Sequence, residues 1–151
     1  MISNFLALAR ILCGIAAGLV CLLASLEAQD AVRAGRFHVE HPTLLNLGFE
    51  WSIEGDDNRN AAVAVQFRPA GESRWREALP LVRIGGEKVY RRREHLDYTV
   101  PQGFAGSILN LRPGTEYECK FLMTDPDGVT GEATQTVRVK TRWLTWQPFY
   151  R

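Results

Sequence analysis

The densest group of charged side chains in this sequence lies between residues 88 and 93. It contains Lys88, Arg91, Arg92 and Arg93, with Tyr90 and Tyr98 nearby. Guanidinium groups bind carboxylates, sulfates and phosphates through paired hydrogen bonds, so this cluster could contact an acidic polysaccharide, a lipopolysaccharide or a phosphate. The favoured alternative is a solvated sheet edge whose charges prevent aggregation.

The C-terminal segment 143–151 is unusually aromatic for a chain end. It contains Trp143, Trp146, Phe149 and Tyr150. Such rings could stack on sugars or dock on a partner, but the segment could equally fold back on its own domain or be non-native sequence. The candidate binding patch combines the two groups: Arg91, Arg92, Arg93, Trp143 and Trp146.

Catalysis needs a nucleophile with a base within reach, and the sequence indicates none. Ser73, Ser107 and Cys119 lack a recognisable base or an oxyanion-binding turn. His38 and His41 precede Pro42 in an extended segment, where a spacing of three places them on different faces. We therefore predict no catalytic residue and no enzymatic activity.

Two pairs of carboxylates could in principle bind calcium, namely Asp56 with Asp57 and Asp125 with Asp127. Neither pair has the spacing of a calcium-binding loop. Aspartate and asparagine also hydrogen-bond their own turns, and we favour that structural role. The sequence therefore predicts neither a metal nor a cofactor.

With 151 residues, the chain can form one domain and a targeting segment. Its net charge is +1, from 18 basic and 17 acidic residues, so the surface as a whole has no strong field to attract nucleic acid. Partner choice must then depend on local features. A polysaccharide or a cell-envelope protein is the expected partner, and nucleic acid is not.

The first thirty residues have the basic, apolar and polar order of a secretory signal peptide. Arg10 precedes an apolar run over 11–24, and polar residues follow it. We predict a signal peptide over 1–28 and a secreted or periplasmic protein. The alternative is an uncleaved membrane anchor over 5–26, which would be the chain's one membrane contact. Neither Cys13 nor Cys21 stands in a lipoprotein motif. Both lie in the apolar N-terminal stretch, so Cys119 is the folded part's lone thiol.

Apolar residues recur at every second position in several segments, which is typical of half-buried strands. The clearest are 45–53 and 63–67, with the turn-forming sequence GDDNRN between them. The segment 75–84 contains Pro80, which cannot donate to a strand ladder, so we expect an edge strand or a bulge there. Residues 87–104 are the least regular, and beyond Val89 and Tyr90 we expect loop.

Alternation returns at 106–111, 115–124 and 133–141, and a DPDG turn separates the last two segments. No helical pattern follows the targeting segment. About seven short strands separated by turn signals predict an all-β, antiparallel immunoglobulin-like sandwich.

Trp51 and the segment 111–117 (LRPGTEY) together resemble a fibronectin type III domain. In that family the tryptophan lies in the core, and the tyrosine hydroxyl of the corner motif bonds back to the backbone. The resemblance makes Tyr117 the corner tyrosine. The predicted structural core is Trp51, Leu111, Pro113, Tyr117 and Phe121.

A closer resemblance is to the N-terminal module of large exported bacterial proteins that continue into a parallel β-helix or another polysaccharide-active region. The segments LGFEWSIEGDDNRNAAVAVQFR and DPDGVTGEATQTVRVKTR carry it. It implies a linker over 29–34, a fibronectin type III-like domain over 35–142 and a tail over 143–151. It also implies a non-catalytic accessory, spacer or binding module. The alternatives are a cell-envelope protein-interaction module and an N-terminal fragment of a larger secreted enzyme.

Overall fold

The computed structural model describes residues 30–143, which fold into strands joined by turns and one short 3-10 helix. The strands are β1 (Val32–Val39), β2 (Leu47–Gly55), β3 (Ala62–Pro69), β4 (Arg76–Glu77), β5 (Val82–Ile84), β6 (Lys88–Arg91), β7 (Leu96–Thr99), β8 (Gly103–Ile108), β9 (Glu116–Thr124), β10 (Val129–Thr130) and β11 (Thr134–Lys140). The 3-10 helix, Arg92–Glu94, lies between β6 and β7. The prediction of an all-β domain is confirmed.

Two sheets pack face to face. Their strand orders are β10-β1-β2-β8-β5 and β11-β9-β3-β4, and β6 and β7 form a separate two-stranded sheet. All pairings are antiparallel except the short one between β1 and β10, where Val32 lies beside Val129. The described residues contain more strands than the seven we predicted, because short edge strands and a separate hairpin add to the count.

Alternate residues of β2 and β9, whose side chains point between the sheets, form about half of the core. Leu47, Phe49, Trp51 and Ile53 come from β2, and Tyr117, Cys119, Phe121 and Met123 come from β9. The rings of Phe49 and Phe121 lie 4.6 Å apart in a tilted pair. Such contacts add to the free energy gained by removing apolar surface from water.

Four of the five predicted core residues, Trp51, Leu111, Tyr117 and Phe121, are buried. Pro113 is exposed, because the chain turns around the outside of the sandwich at this corner. Its ring fixes the backbone of the turn and does not pack in the core.

The first strand begins earlier than the domain boundary we predicted. Val32 is completely buried, although it lies in the segment 29–34 that we expected to be a linker. The register of β1 against β2 shifts between Ala34 and Phe37. This bulge breaks the two-residue alternation that identifies a strand in sequence.

The segment predicted as one edge strand, 75–84, is two strands in different sheets. β4 pairs with β3 in the four-stranded sheet, and β5 pairs with β8 in the other. Pro80 lies at the crossing, and Leu81 beside it is buried and bridges to Val63. The proline therefore ends one pairing and allows the chain to change sheets.

Residues 88–99 form a hairpin, defined here as the basic hairpin, where we expected mostly loop. β6 pairs with β7 from Lys88 opposite Thr99 to Arg91 opposite Leu96, and neither strand pairs with the main sheets. Most of its side chains are exposed.

The predicted signal peptide over 1–28, its alternative as a membrane anchor over 5–26, and Trp146 lie outside the described residues. Within residues 30–143, no helix is long and apolar enough to cross a bilayer.

Candidate functional site

The paired residues identify the two ends of the sandwich, which we call poles. At one pole, defined here as the corner pole, Leu47 pairs with Ile108 and Glu116 pairs with Lys140. The opposite end, where Ile84 pairs with Gly103 and the basic hairpin emerges, is the hairpin pole.

This division separates the two halves of the predicted binding patch. Trp143 follows β11 at the corner pole, whereas Arg91, Arg92 and Arg93 lie in the basic hairpin at the hairpin pole. The described parts of the patch therefore do not form one surface.

Hydrogen bonds to buried side chains hold the corner pole together. The backbone N–H of Arg112 donates to the hydroxyl of Tyr117 over 2.9 Å. The hydroxyl of Thr141, which is 2% exposed, donates to the carbonyl of Arg112 over 2.6 Å and accepts from the N–H of Thr115 over 3.0 Å. The chain leaving β11 is thereby fixed to the corner turn.

A groove of about 580 Å³ opens at this pole between the loop after β1 and the residues after β11. We call it the corner-pole groove. It is lined by His41, Pro42, Thr43, Leu44, Leu45, Asn46, Arg142 and Trp143.

The backbone of both groove walls is ordered by hydrogen bonds. The hydroxyl of Thr43 accepts from the N–H of Asn46 over 2.9 Å and so closes the loop into a turn. Leu111 N–H donates to the carbonyl of Leu45, and Arg142 N–H donates to the carbonyl of Thr43; the donor–acceptor distance is 2.8 Å in both bonds. The second bond joins the two walls directly.

The indole of Trp143 lies against the backbone of Gly114. Gly114 has a positive φ of 63°, and a Cβ at this position would overlap the indole ring. Because Gly114 has no side chain, it can adopt the positive φ of the turn and allows the indole to approach its backbone closely. The side-chain ammonium of Lys140 is 6.0 Å from the ring centroid, and Trp143 remains 65% exposed.

The corner-pole groove combines groups that suit a hydroxylated, negatively charged ring. Trp143 offers apolar surface, Arg142 a guanidinium, and Asn46 and His41 further hydrogen-bonding atoms. Guanidinium–carboxylate hydrogen bonds are about twice as strong as neutral ones. The arrangement can bind and orient such a ring.

The basic hairpin is a convex, exposed surface. Two of its cations face carboxylates at 3.5 Å, Arg91 with Glu94 and Lys88 with Asp97. Among the described residues, Arg92 and Arg93 have no carboxylate within 4.0 Å. The register places the two tyrosines on opposite faces, since Tyr98 pairs with Val89 and Tyr90 pairs with Asp97. They do not form a common stacking surface.

The aspartates considered as calcium ligands lie at the hairpin pole. Asp56 is completely buried, forms an ion pair with Arg83 and accepts from the backbone N–H of Asn60 and Ala61. Burial lowers the pKa of Arg83, and the nearby Asp125 partly opposes this effect. The carboxylate of Asp56 is thus occupied by groups of the protein itself.

The second aspartate pair caps the neighbouring turn. Asp125 accepts from the N–H of Val32, and Asp127 accepts from the side-chain amides of Asn60 and Asn58. These hydrogen bonds from the two asparagine side chains lower the pKa of Asp127. Residues 30–143 contain no group of three or more potential metal ligands.

The other groups considered for chemistry are dispersed. Cys119 is completely buried, and burial raises its pKa to about 12, so the thiol stays protonated. His38 lies on β1 beside Glu40, His41 lines the corner-pole groove, and His95 ends the 3-10 helix in the basic hairpin.

Sequence reasoning identified Trp143 but missed the residues that build a groove beside it. Thr43 carries the signal that could have indicated the turn, because a threonine hydroxyl can bond to the backbone of residues that follow it and so close a loop. The contact between Gly114 and Trp143 joins positions 29 apart and has no local signal.

Neither the known protein-family models nor the curated protein sequences contain a match to this chain.

Proposed function

We propose that this protein is a non-catalytic, carbohydrate-binding accessory module of the fibronectin type III kind, belonging to an exported bacterial protein. The corner-pole groove is the observation that carries the proposal. Its lining includes the exposed Trp143 and Arg142, and backbone hydrogen bonds hold its walls.

Acidic sugar units are the ligand class that fits best. The ring of a uronic acid has an apolar face for Trp143 and a carboxylate for Arg142, while its hydroxyls can bond to Asn46 and His41. Lys140 adds a second positive charge near the indole.

Two contacts support the fibronectin type III assignment. Trp51 is completely buried and has the ring of Phe37 edge-on at 5.4 Å. Tyr117 is buried, and its hydroxyl accepts from the backbone of Arg112, as the resemblance of LRPGTEY to the family's corner motif implies.

The surroundings of two nucleophilic side chains, Cys119 and Ser52, support a non-catalytic role. Cys119 is buried and protonated. The hydroxyl of Ser52 accepts from the N–H of Arg36 over 2.7 Å and donates to its carbonyl over 3.1 Å, so it is committed to closing the bulge in β1.

The test is titration of the full chain with polygalacturonate oligomers, followed by calorimetry, with uncharged dextran oligomers as the comparison. Trp143→Ala should weaken binding about fivefold, since aromatic stacking contributes about 1 kcal/mol. Arg142→Gln should weaken it at least tenfold, because a hydrogen bond to a charged group contributes about 1.5–3 kcal/mol.

The matched control is the double variant Arg92→Ala/Arg93→Ala, which removes two cations at the opposite pole. It should bind the acidic oligomers as the wild type does. Binding that disappears in this control but survives Trp143→Ala would reject the corner-pole groove as the site. No binding of any oligomer by the wild type would reject the carbohydrate-binding function.

A further inference from the structure

The outer strands of the two main sheets differ greatly in length. β10 and β4 have two residues each and β5 has three, whereas β11 has seven. Short edge strands are one of the ways in which proteins prevent edge-to-edge pairing. Among the described outer strands, β11 lacks this protection.

The backbone of β11 is regular over its whole length. It pairs with β9 from Thr134 opposite Leu122 to Lys140 opposite Glu116 without a bulge, and it contains neither proline nor glycine. The absence of these edge-disrupting features leaves a flat ladder available for pairing.

The register shows which backbone groups of β11 are free. Met123 N–H donates to the carbonyl of Ala133, and Thr141 N–H donates to the carbonyl of Thr115. Because bonding alternates along an antiparallel pair, the odd-numbered residues of β11 bond to β9. The N–H and C=O groups that face the open edge belong to Thr134, Thr136, Arg138 and Lys140.

Charged side chains at an edge can prevent pairing, and β11 carries Arg138 and Lys140. The guanidinium of Arg138 forms an ion pair with Glu118 on its own sheet. The ammonium of Lys140 lies over the ring of Trp143. The charge of Arg138 is therefore compensated within its own sheet, and the ammonium of Lys140 lies on the side of Trp143.

We propose that β11 pairs with β11 of a second copy of this chain, antiparallel and about a two-fold axis at Val137. The two four-stranded sheets would then form one continuous sheet of eight strands. The pairing strand β11 contributes no residue to the lining of the corner-pole groove, so the proposal goes beyond the proposed carbohydrate-binding function.

The edge complements itself in this register. Thr136 lies opposite Arg138 of the second copy, and Thr134 lies opposite Lys140. No like charges are directly opposed, which is the arrangement that would destabilise a pair. A register shifted by two residues in either direction pairs only five residues of the strand, and in one of the two directions it places Arg138 opposite Arg138 of the second copy.

The inner side of the edge also has room for a second copy. A groove of about 510 Å³ lies between β11 and the end of β1, and it is lined in part by Val39, Val137 and Val139. In the proposed register Val137 faces Val137 of the second copy, and Gln135 of the second copy lies opposite Val139. The rest of the lining is Glu40, His41, Pro42 and Arg138, and the valines form the apolar part, where the valine on the axis lies.

The first test changes the charge at Thr136, which is exposed and directs its backbone bonds to the free edge. Thr136→Glu places one carboxylate opposite each Arg138 of the dimer, and Thr136→Arg places one guanidinium there instead. We expect the dimer dissociation constant to fall about fivefold in the first variant and to rise about fivefold in the second.

Association is measured by sedimentation of the full chain over a range of concentrations. Residues 1–29 are the same in all three proteins, so a difference between them reports on the edge. The melting temperature of each variant at its lowest concentration serves as the control for folding. Equal association of both variants would overturn the proposal.

The second test is a cross-link at the axis. Across the new interface Val137 would form a non-hydrogen-bonded pair with itself, in which Cα atoms are about 4.5 Å apart and a disulfide can form. In a Cys13→Ser/Cys21→Ser background, Val137→Cys should oxidise to a covalent dimer. The exposed Thr124→Cys on β9, away from the edge, should not; equal cross-linking of both, or a monomeric wild type at all concentrations, would reject the self-pairing.

Discussion

Removing the hydroxyl of Tyr117 tests how much the corner turn contributes to stability. The Tyr117→Phe substitution keeps the buried ring, which is 3% exposed, and deletes the acceptor that lies 2.9 Å from Arg112 N–H. No cavity of any size is created, so the change isolates one hydrogen bond.

Leaving a buried donor without a partner costs about 1–3 kcal/mol. The side chain of Arg112 is exposed, and water can therefore reach part of its backbone, which favours the lower half of this range. We expect the free energy of unfolding to fall by about 1–2 kcal/mol. For a domain of roughly 100 residues this corresponds to a decrease in Tm of about 4–12 °C.

The assay is urea denaturation of the full chain followed by tryptophan fluorescence, with the buried Trp51 as a reporter of the core. The matched control is Tyr90→Phe, which removes the same hydroxyl from a side chain that is 64% exposed. The control should change the free energy of unfolding by less than about 0.5 kcal/mol. If Tyr117→Phe behaves like Tyr90→Phe, the corner hydrogen bond does not stabilise the fold and our reasoning is refuted.

Three further predictions concern other parts of the sandwich. Gly114→Ala should reduce both stability and oligosaccharide affinity because its Cβ displaces Trp143, whereas Gly71→Ala, with a positive φ but open space around it, should reduce only stability, by about 1–2 kcal/mol. Asp56→Ala should lower the free energy of unfolding in urea by about 3–5 kcal/mol, because it leaves the buried guanidinium of Arg83 without its carboxylate. Asp57→Ala, at an exposed position, should leave the free energy of unfolding unchanged. Hydrogen bonds from Arg68 and Arg138 lower the pKa of Glu118. The wild type should therefore be more stable than Glu118→Gln at pH values above the ordinary pKa of 4.5, and it should lose this advantage as the pH falls through the pKa of the folded state. A difference in Tm that stays constant down to about pH 2 would contradict this prediction.

The strands that could be predicted from sequence are those with one face in the core and one in water. Trp51 on β2 and Phe121 on β9 alternate with polar residues, and the burial of their faces follows the same period. β1 was missed in part because its bulge shifts the period between Ala34 and Phe37.

The basic hairpin could not be predicted for a different reason. Its strands have no buried face, so the period of two that marks a half-buried strand is absent around Tyr90 and Tyr98. The split of 75–84 into two sheets also has no periodic signal, although Pro80 marked the place where pairing changes.

The candidate site was predictable only in its parts. An aromatic residue such as Trp143 stands out in sequence, but a groove requires the loop that faces it. A backbone hydrogen bond joins Arg142 and Thr43, which are far apart in the sequence. Every residue type except proline can form such a bond on both sides, so the sequence does not indicate it.

The direction of the first and last main strands has a mechanical consequence. β1 starts at the hairpin pole, with Val32 held by Asp125, and β11 ends at the corner pole, so the folded unit receives tension at opposite ends. A pull along this axis runs parallel to the strands, while the ladder bonds of β1 and β11 run across it. Many bonds must then break together, as in shear, and not one after another as in unzipping. The sandwich should therefore transmit force as a stiff link between whatever it joins.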